Sequence, residues 1–122
     1  SDLFLVFFTT LLAFEVIIFI ELLYHKKEAH MQKVRMIAQG RVQGVGFRWG
    51  VYTLAKEIGG ITGRVWNNED GTVEILAQAK NSALMAKFIQ EIRKGPTPFS
   101  KVSYLDVTMA NFDSYSDFKI AN

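Results

Sequence analysis

The sequence predicts an α+β domain in which two helices pack on one face of an antiparallel sheet. Two observations support this prediction. From Met31 onward, segments with an apolar residue at every second position alternate with segments that have apolar residues at helical spacing. Turn-forming pairs such as Gly59-Gly60 and Asp70-Gly71 separate these segments. The resulting order, β-α-β-β-α-β, is the split β-α-β arrangement of ferredoxin-like folds.

The strands are predicted from alternation and from the turns that bound them. In the first strand, alternate residues from Val34 to Gln39 are expected to point to one face. A hairpin turn that contains Asp70-Gly71 connects the second and third strands. The predicted strands are residues 34–39, Ile61–Asn67, 72–78 and 102–109, with a short last strand at 118–120.

The two helices are predicted from apolar residues spaced three and four apart. These residues are Phe47, Val51, Leu54, Ala55 and Ile58 in the first helix and Leu84, Met85, Phe88, Ile89 and Ile92 in the second. Gly59-Gly60 is expected to end the first helix. Either Asn81 or Ser82 can cap the second helix, and Gly95-Pro96 is expected to end it.

Residues 1–30 form a separate apolar extension that precedes the domain of residues 31–122. The run from Leu3 to Tyr24 is long enough for a membrane helix, which needs about 20 mostly apolar residues. Glu15 near its centre costs of order 3 kcal/mol, which the apolar neighbours could offset. A cluster of basic residues follows this run and consists of His25, Lys26, Lys27 and His30. By the positive-inside rule, this cluster predicts that the domain lies in the cytoplasm.

A second interpretation of the extension stays open, in which residues 1–30 are non-native upstream sequence. The chain starts with Ser1, and Met31 begins a segment that looks complete without them. A secretory signal is not indicated, because Asp2 stands in the usual positive region and no small-residue cleavage site follows. A buried amphipathic helix is disfavoured, because the polar residues do not line one continuous face.

The most informative segment joins the first strand to the first helix and reads GRVQGVGFR from Gly40 to Arg48. Glycines let the backbone curl so that successive N–H groups point at one spot, and the first N–H groups of a helix have no partner within it. The helix dipole adds partial positive charge there. Arg48 adds a guanidinium whose planar fork suits phosphate oxygens. The segment therefore predicts an anion site of a size that suits phosphate.

The composition excludes or disfavours several other kinds of site. The chain has no cysteine and its two histidines precede the domain, so thiol, zinc–thiolate and phosphohistidine chemistry lack a residue. The carboxylates are scattered and include no pair typical of a dinuclear metal site. A net charge of +2 without a long basic run, and a third strand without stacking aromatics, do not indicate a nucleic-acid partner. The loop also lacks Gly-Lys-Ser/Thr, and Trp49 occupies the third-glycine position of a dinucleotide motif.

The string GRVQGVGFR resembles the signature of the acylphosphatase family. A second segment, GRVWNNEDGTVE from Gly63 to Glu74, is similar to the family's Gly-x-Val-x-Asn…Asp-Gly-x-Val-Glu pattern. Gly95-Pro96 and the segment Phe118–Ile120 also look like family features. The resemblance covers residues 31–122 and does not extend to the segment before them.

This resemblance implies an enzyme that hydrolyses the carboxyl–phosphate bond of a small acyl phosphate by direct attack of water. By position, Arg48 corresponds to the family's phosphate-binding catalytic arginine and Asn67 to its water-orienting asparagine. The loop whose amides cradle the phosphate corresponds to Gln43, Gly44, Val45, Gly46 and Phe47. The resemblance implies no cofactor and no metal, and the domain is expected to be monomeric and cytoplasmic.

A non-catalytic, phosphate-binding or regulatory module of the same family is the main alternative. A membrane tether through residues 3–24 could accompany either function. Asp70 in the turn and Glu74 in the third strand are interpreted as structural rather than catalytic. Gly50 in the first helix and Trp66 in the second strand are unusual for the family, but neither touches the expected chemistry.

Overall fold

The computed structural model describes residues 2–29 and 31–122, so Ser1 and His30 lie outside the described residues. The chain divides into two compact units, Ser1–His30 and Met31–Asn122. The first unit is one helix, α1 (Asp2–Ala29), in which residues 10–23 are exposed.

The expected membrane helix is not found. In the described part of the chain, no helix is both long enough and apolar enough to cross a membrane. Two carboxylates, Glu15 and Glu21, interrupt the apolar side chains of α1, and a charge inside a bilayer carries a free-energy cost. The prediction of a tether through residues 3–24 is therefore not supported.

The second unit has the predicted order of strands and helices. Its elements are β1 (Gln32–Arg41), α2 (Phe47–Ile58), β2 (Ile61–Asn67), β3 (Val73–Ala79), α3 (Ser82–Lys94), β4 (Lys101–Met109) and β5 (Phe118–Ile120). β1 is longer than predicted, because Gly40 and Arg41 continue its pairing with β4 past a register shift after Gln39. The loop before α2 is therefore shorter than predicted and comprises residues 42–46.

The five strands form one sheet in the order β4-β1-β3-β2-β5. The pairs among the first four of these strands are antiparallel, as predicted. β5 differs, because it pairs in parallel with residues 63–65 of β2 and makes the sheet mixed. Three strands of alternating direction lie between β4 and β5, so β5, which runs opposite to β4, is parallel to β2.

The hydrophobic core lies between one face of the sheet and helices α2 and α3. The alternation predicted for β1 is confirmed, because Val34, Met36 and Ala38 are buried while Arg35 and Gln39 are exposed. The helices contribute Phe47, Val51 and Ala55 from α2 and Met85, Phe88 and Ile92 from α3, all of them buried. Burial of each large apolar side chain stabilises the fold by about 1.5–3 kcal/mol, so this layer fixes both helices on the sheet.

The opposite face of the sheet is partly covered by the connection between β4 and β5. The Lys33 ammonium donates a hydrogen bond to the Phe112 carbonyl at 2.6 Å. The Arg64 guanidinium lies 4.4 Å from the centre of the Tyr115 ring and 3.0 Å from the Asp117 carboxylate. These contacts hold the connection as it passes from one edge of the sheet to the other.

Asn81, one of the two predicted candidates, is the N-cap residue of α3. Its Oδ1 accepts a hydrogen bond from the backbone N–H of Leu84 at 3.0 Å. We expect Asn81→Ala to lower the free energy of unfolding by about 1 kcal/mol, because the side chain satisfies an N–H that the helix leaves unpaired. Urea denaturation measures this change. Asn111→Ala, at an exposed loop position, is the control, and equal stability of the two variants would contradict the capping role.

Candidate active site

The loop of residues 42–46 presents backbone N–H groups at the start of α2. Gly44 and Gly46 have φ angles of 75° and 74°, in the left-handed region that glycine adopts without steric cost. Gly46 is also the N-cap residue of α2, and no side chain caps the helix there. The first N–H groups of α2 therefore stay available to an anion beside the positive end of the helix dipole.

Arg48 and Asn67 line the same cleft, although they come from α2 and the end of β2. The cleft has a volume of about 200 Å³. Its walls are Val42, Gly44, Gly46, Phe47, Arg48, Trp49, Asn67, Ile120 and Asn122. Arg48 carries the only charged side chain among these lining residues.

Asn122 connects the side chain of Arg48 to the backbone of Asn67. Nη1 of Arg48 donates hydrogen bonds to the backbone oxygen of Asn122 and, at 2.9 Å, to its Oδ1. The Asn122 side chain also accepts from the Asn67 N–H and donates to the Asn67 carbonyl, both at 3.1 Å. Sequence reasoning missed Asn122, because no local pattern marks its contact with residues 74 and 55 positions away.

The Asn67 side chain offers an unused acceptor. Its Oδ1 is buried and has no hydrogen-bond partner among the described residues. A buried carbonyl oxygen without a partner is rare in folded proteins, and a water or ligand commonly satisfies it. The backbone of Asn67 is fixed by β2 and Asn122, and the residue lines the cleft while Oδ1 itself is shielded from solvent.

The predicted loop residues divide into two groups. Gly44, Gly46 and Phe47 line the cleft, whereas Gln43 and Val45 do not. The Gln43 amide instead donates to the carbonyls of Asn68 at 2.8 Å and Thr72 at 2.9 Å. This side chain therefore ties the loop to the turn between β2 and β3.

Val45 is held from the other side of the loop. Its carbonyl accepts a hydrogen bond from the Thr97 hydroxyl at 3.0 Å. Thr97 also explains Gly50, because a Cβ on Gly50 would lie 2.6 Å from the Thr97 Cγ2 and 3.0 Å from the Pro96 Cβ. The glycine that looks unfavourable in a helix thus permits the close approach that places Thr97 under the loop. Thr97 was not singled out from the sequence, since its partner lies 52 residues away.

The turn between β2 and β3 is built by side-chain hydrogen bonds. Asn68 Nδ2 donates to Thr72 Oγ1 at 3.0 Å and to Glu74 Oε1 at 3.1 Å. Asn68 Oδ1 accepts from the Trp66 indole at 3.0 Å. Glu74 completes the network with an ion pair to Arg35 at 2.7 Å. Glu74 points away from the cleft in this arrangement and has a structural role.

Asp70 stabilises the same turn. Its Oδ1 accepts hydrogen bonds from the Thr72 hydroxyl at 2.7 Å and the Thr72 N–H at 3.0 Å. These two bonds favour the carboxylate and lower the pKa of Asp70. In the described residues, no three His, Cys, Asp or Glu side chains lie close enough together to hold a metal ion.

The acylphosphatase family model matches residues 34–120, which include both signatures and most of the cleft. The chain belongs to the acylphosphatase family. An acylphosphatase of Lactococcus lactis subsp. lactis is 50% identical over 96 residues, covering 74% of this chain and 98% of that protein. The crystal structure of the Bacillus subtilis acylphosphatase matches with a TM-score of 0.69 at 36% identity, covering 75% of this chain and 99% of that one. The structure of an acylphosphatase from Coxiella burnetii matches with a TM-score of 0.70 at 30% identity, covering 77% of this chain and 96% of that one.

These matches confirm the family and the ferredoxin-like α+β fold that the two signatures indicated. They cover the domain and leave residues 1–30 almost entirely unmatched. The roles of Arg48, Asn67 and the loop residues stay predictions, which the geometry makes testable.

The Asp70 hydrogen bonds predict a pH-dependent contribution to stability. Because the pKa of Asp70 is lowered in the folded state, its contribution is fully present above the unfolded value of about 3.9 and is lost as the pH falls through the folded value. We therefore expect the free energy of unfolding to fall more steeply below pH 4 in the wild type than in Asp70→Asn. Urea titrations from pH 6 to pH 2 measure the difference.

Asp113→Asn, which removes an exposed carboxylate from the connection between β4 and β5, is the control for this titration. The control is expected to follow the wild type. A constant gap between the wild type and Asp70→Asn at every pH would show that the Asp70 charge does not matter.

Proposed function

We propose that the chain hydrolyses the carboxyl–phosphate bond of acyl phosphates by direct attack of water, with neither a metal nor a covalent intermediate. The observation that supports this most strongly is that Arg48 and Asn67 line one cleft at the start of α2. Arg48 offers a guanidinium to phosphate oxygens, and Asn67 offers a side-chain amide to a water. Membership of the acylphosphatase family supports the same reaction.

The phosphate is bound by the loop amides and by Arg48. Nη1 of Arg48 is held by Asn122, which leaves its other N–H donors for phosphate oxygens. Phosphoryl transfer passes through a loose transition state in which negative charge lies on the equatorial oxygens. Donors fixed in advance by Gln43, Thr97 and Asn122 stabilise that charge without reorganising during the reaction.

The attacking water is positioned by Asn67. Asn67 lines the cleft, and its side-chain amide holds the water in line with the bond that breaks. Because the cleft is lined by no Cys, Ser, Thr, His, Asp or Glu side chain, no residue there is suited to form a phosphorylated intermediate. Water is therefore the nucleophile.

The leaving group explains why so few side chains are needed. A carboxylate departs as a stable anion and requires no strong general acid. The remaining demands are orientation of the reactants and stabilisation of charge, which a rigid loop and one guanidinium meet.

The main alternative is a non-catalytic module of the same family that only binds phosphate. Both polar side chains of the site are present in one cleft, which favours the enzyme. A cytoplasmic location and a monomeric domain accompany this proposal as predictions.

Arg48→Ala is expected to lower kcat/KM for benzoyl phosphate by about a hundredfold or more, as for the loss of one preorganised charge-stabilising donor. Arg48→Lys should restore only part of the loss, because an ammonium lacks the planar fork. Continuous absorbance assays in the presence of EDTA measure both variants.

Arg93→Ala, which removes an exposed charge from α3, is the matched control and should keep wild-type activity. Full activity in Arg48→Ala would remove Arg48 from the mechanism. Loss of wild-type activity in EDTA would contradict the metal-free reaction, and no activity in any condition would favour the binding module.

Asn67→Ala is expected to lower kcat by about a hundredfold, because the water loses its orienting acceptor. The inhibition constant of inorganic phosphate should change less than threefold or so, since the phosphate ligands remain. Steady-state kinetics with phosphate as a competitive inhibitor separate the two effects. An unchanged kcat would leave Asn67 with a structural role only.

A further inference from the structure

A second cleft opens next to the first one, between α2, α3 and the turn that follows α3. Its volume is about 380 Å³, against about 200 Å³ for the cleft that contains Arg48. The side of α2 that carries Gly50, Thr53 and Leu54 forms one wall, and Pro96 and Thr97 form another. Trp49 lines both clefts and therefore stands at their junction.

We propose that the second cleft binds the acyl group of the substrate and that Trp49 is a specificity-determining residue, which favours a flat, uncharged acyl group. This inference rests on the proposed function, because it takes the phosphate to lie in the first cleft. The whole substrate then spans the junction at Trp49.

The direction of the reaction supports this placement. In phosphoryl transfer, the attacking and leaving oxygens lie roughly in line on opposite sides of the phosphorus. The water is held by Asn67, which belongs to β2. The second cleft is bounded instead by α2, α3 and the turn after α3. We place the departing carboxylate away from Asn67, past Trp49 and in this cleft, whose walls do not include Asn67.

Trp49 is prepared to contact a flat group. Its side chain is 63% exposed although it borders the candidate active site. One side of the indole packs against Tyr52, with ring centres 5.3 Å apart and planes at 26°. The Lys56 ammonium lies 5.5 Å from the centre of the Tyr52 ring. One side of the indole is thus covered by Tyr52, and its exposed part can pack on an aromatic or planar acyl group.

The charges of the second cleft disfavour an anionic acyl group. Glu57 and Glu91 line it. Glu91 is paired with Lys94 at 3.1 Å, whereas Glu57 makes no ion pair with a described residue. A carboxylate on the acyl group would approach the Glu57 charge, which raises its free energy of binding.

The first test compares kcat/KM for benzoyl phosphate and acetyl phosphate. In Trp49→Ala the ratio of the two values is expected to fall about tenfold, the size of one lost aromatic contact together with its buried area. Trp49→Phe should keep most of the ratio. Phe99→Ala removes another exposed aromatic that lines neither cleft and is the matched control. An unchanged ratio in Trp49→Ala, or an equal fall in Phe99→Ala, would overturn the proposal.

The second test adds one negative charge to the benzoyl ring of the substrate. The ratio of kcat/KM for 4-carboxybenzoyl phosphate to that for benzoyl phosphate should rise about two- to fivefold in Glu57→Gln, as expected of one partly screened charge. Asp106→Asn, at an exposed position of β4, is the control and should leave this ratio unchanged. A ratio that does not respond to Glu57→Gln would contradict the placement of the acyl group.

Binding of non-hydrolysable phosphonates separates this inference from the proposed function. Calorimetry should show that the wild type binds benzoylphosphonate more tightly than acetylphosphonate and that Trp49→Ala loses this difference. If the wild type shows this preference but hydrolyses no acyl phosphate, the proposed function fails and the acyl site stands. If it hydrolyses acyl phosphates without a Trp49-dependent preference, the acyl site fails and the proposed function stands.

Discussion

The fixed shape of the loop at residues 42–46 is the constraint on which the candidate site depends. Backbone N–H groups bind an anion strongly only while they converge, and glycines by themselves leave a loop free to change shape. The Gln43 amide holds this loop to the carbonyls of the β2–β3 turn, and the Thr97 hydroxyl holds it to the turn after α3. The folded protein thus orders the donors before any ligand arrives, which is the condition for strong electrostatic stabilisation.

The polar residues of the two sequence signatures fall into two groups, those that line the cleft and those that do not. Arg48 and Asn67 face the cleft. Other polar residues of the signatures make contacts within the protein: Gln43 anchors the loop, and Asn68 joins the indole of Trp66 to the carboxylate of Glu74. A carboxylate within a short signature motif can therefore be structural, and its hydrogen-bond partners distinguish a structural role from a catalytic one.

The parts of the fold that depend on local patterns could be predicted from the sequence. β1 alternates because each second residue enters the core, and Asn81 is a cap because its side chain reaches an N–H three residues ahead. Parallel pairing of β5, the inclusion of Gly40 in β1 and the contacts of Asn122 depend on residues far away in the chain. The membrane helix expected in residues 3–24 is not supported, because no helix of the described residues is both long enough and apolar enough to cross a membrane.

The Arg48–Asn122 contact has a consequence for the time at which the site forms. The two residues are 74 positions apart, and β5 is the last strand of the sheet to leave the ribosome. A nascent chain that has emerged from the ribosome as far as α3 already contains the loop and Arg48. It still lacks the wall of the cleft that Ile120 and Asn122 provide. Long-range contacts of this kind form late and slowly compared with local ones. The cleft is therefore completed only after β5 has paired with β2 and Asn122 has reached Arg48 and Asn67.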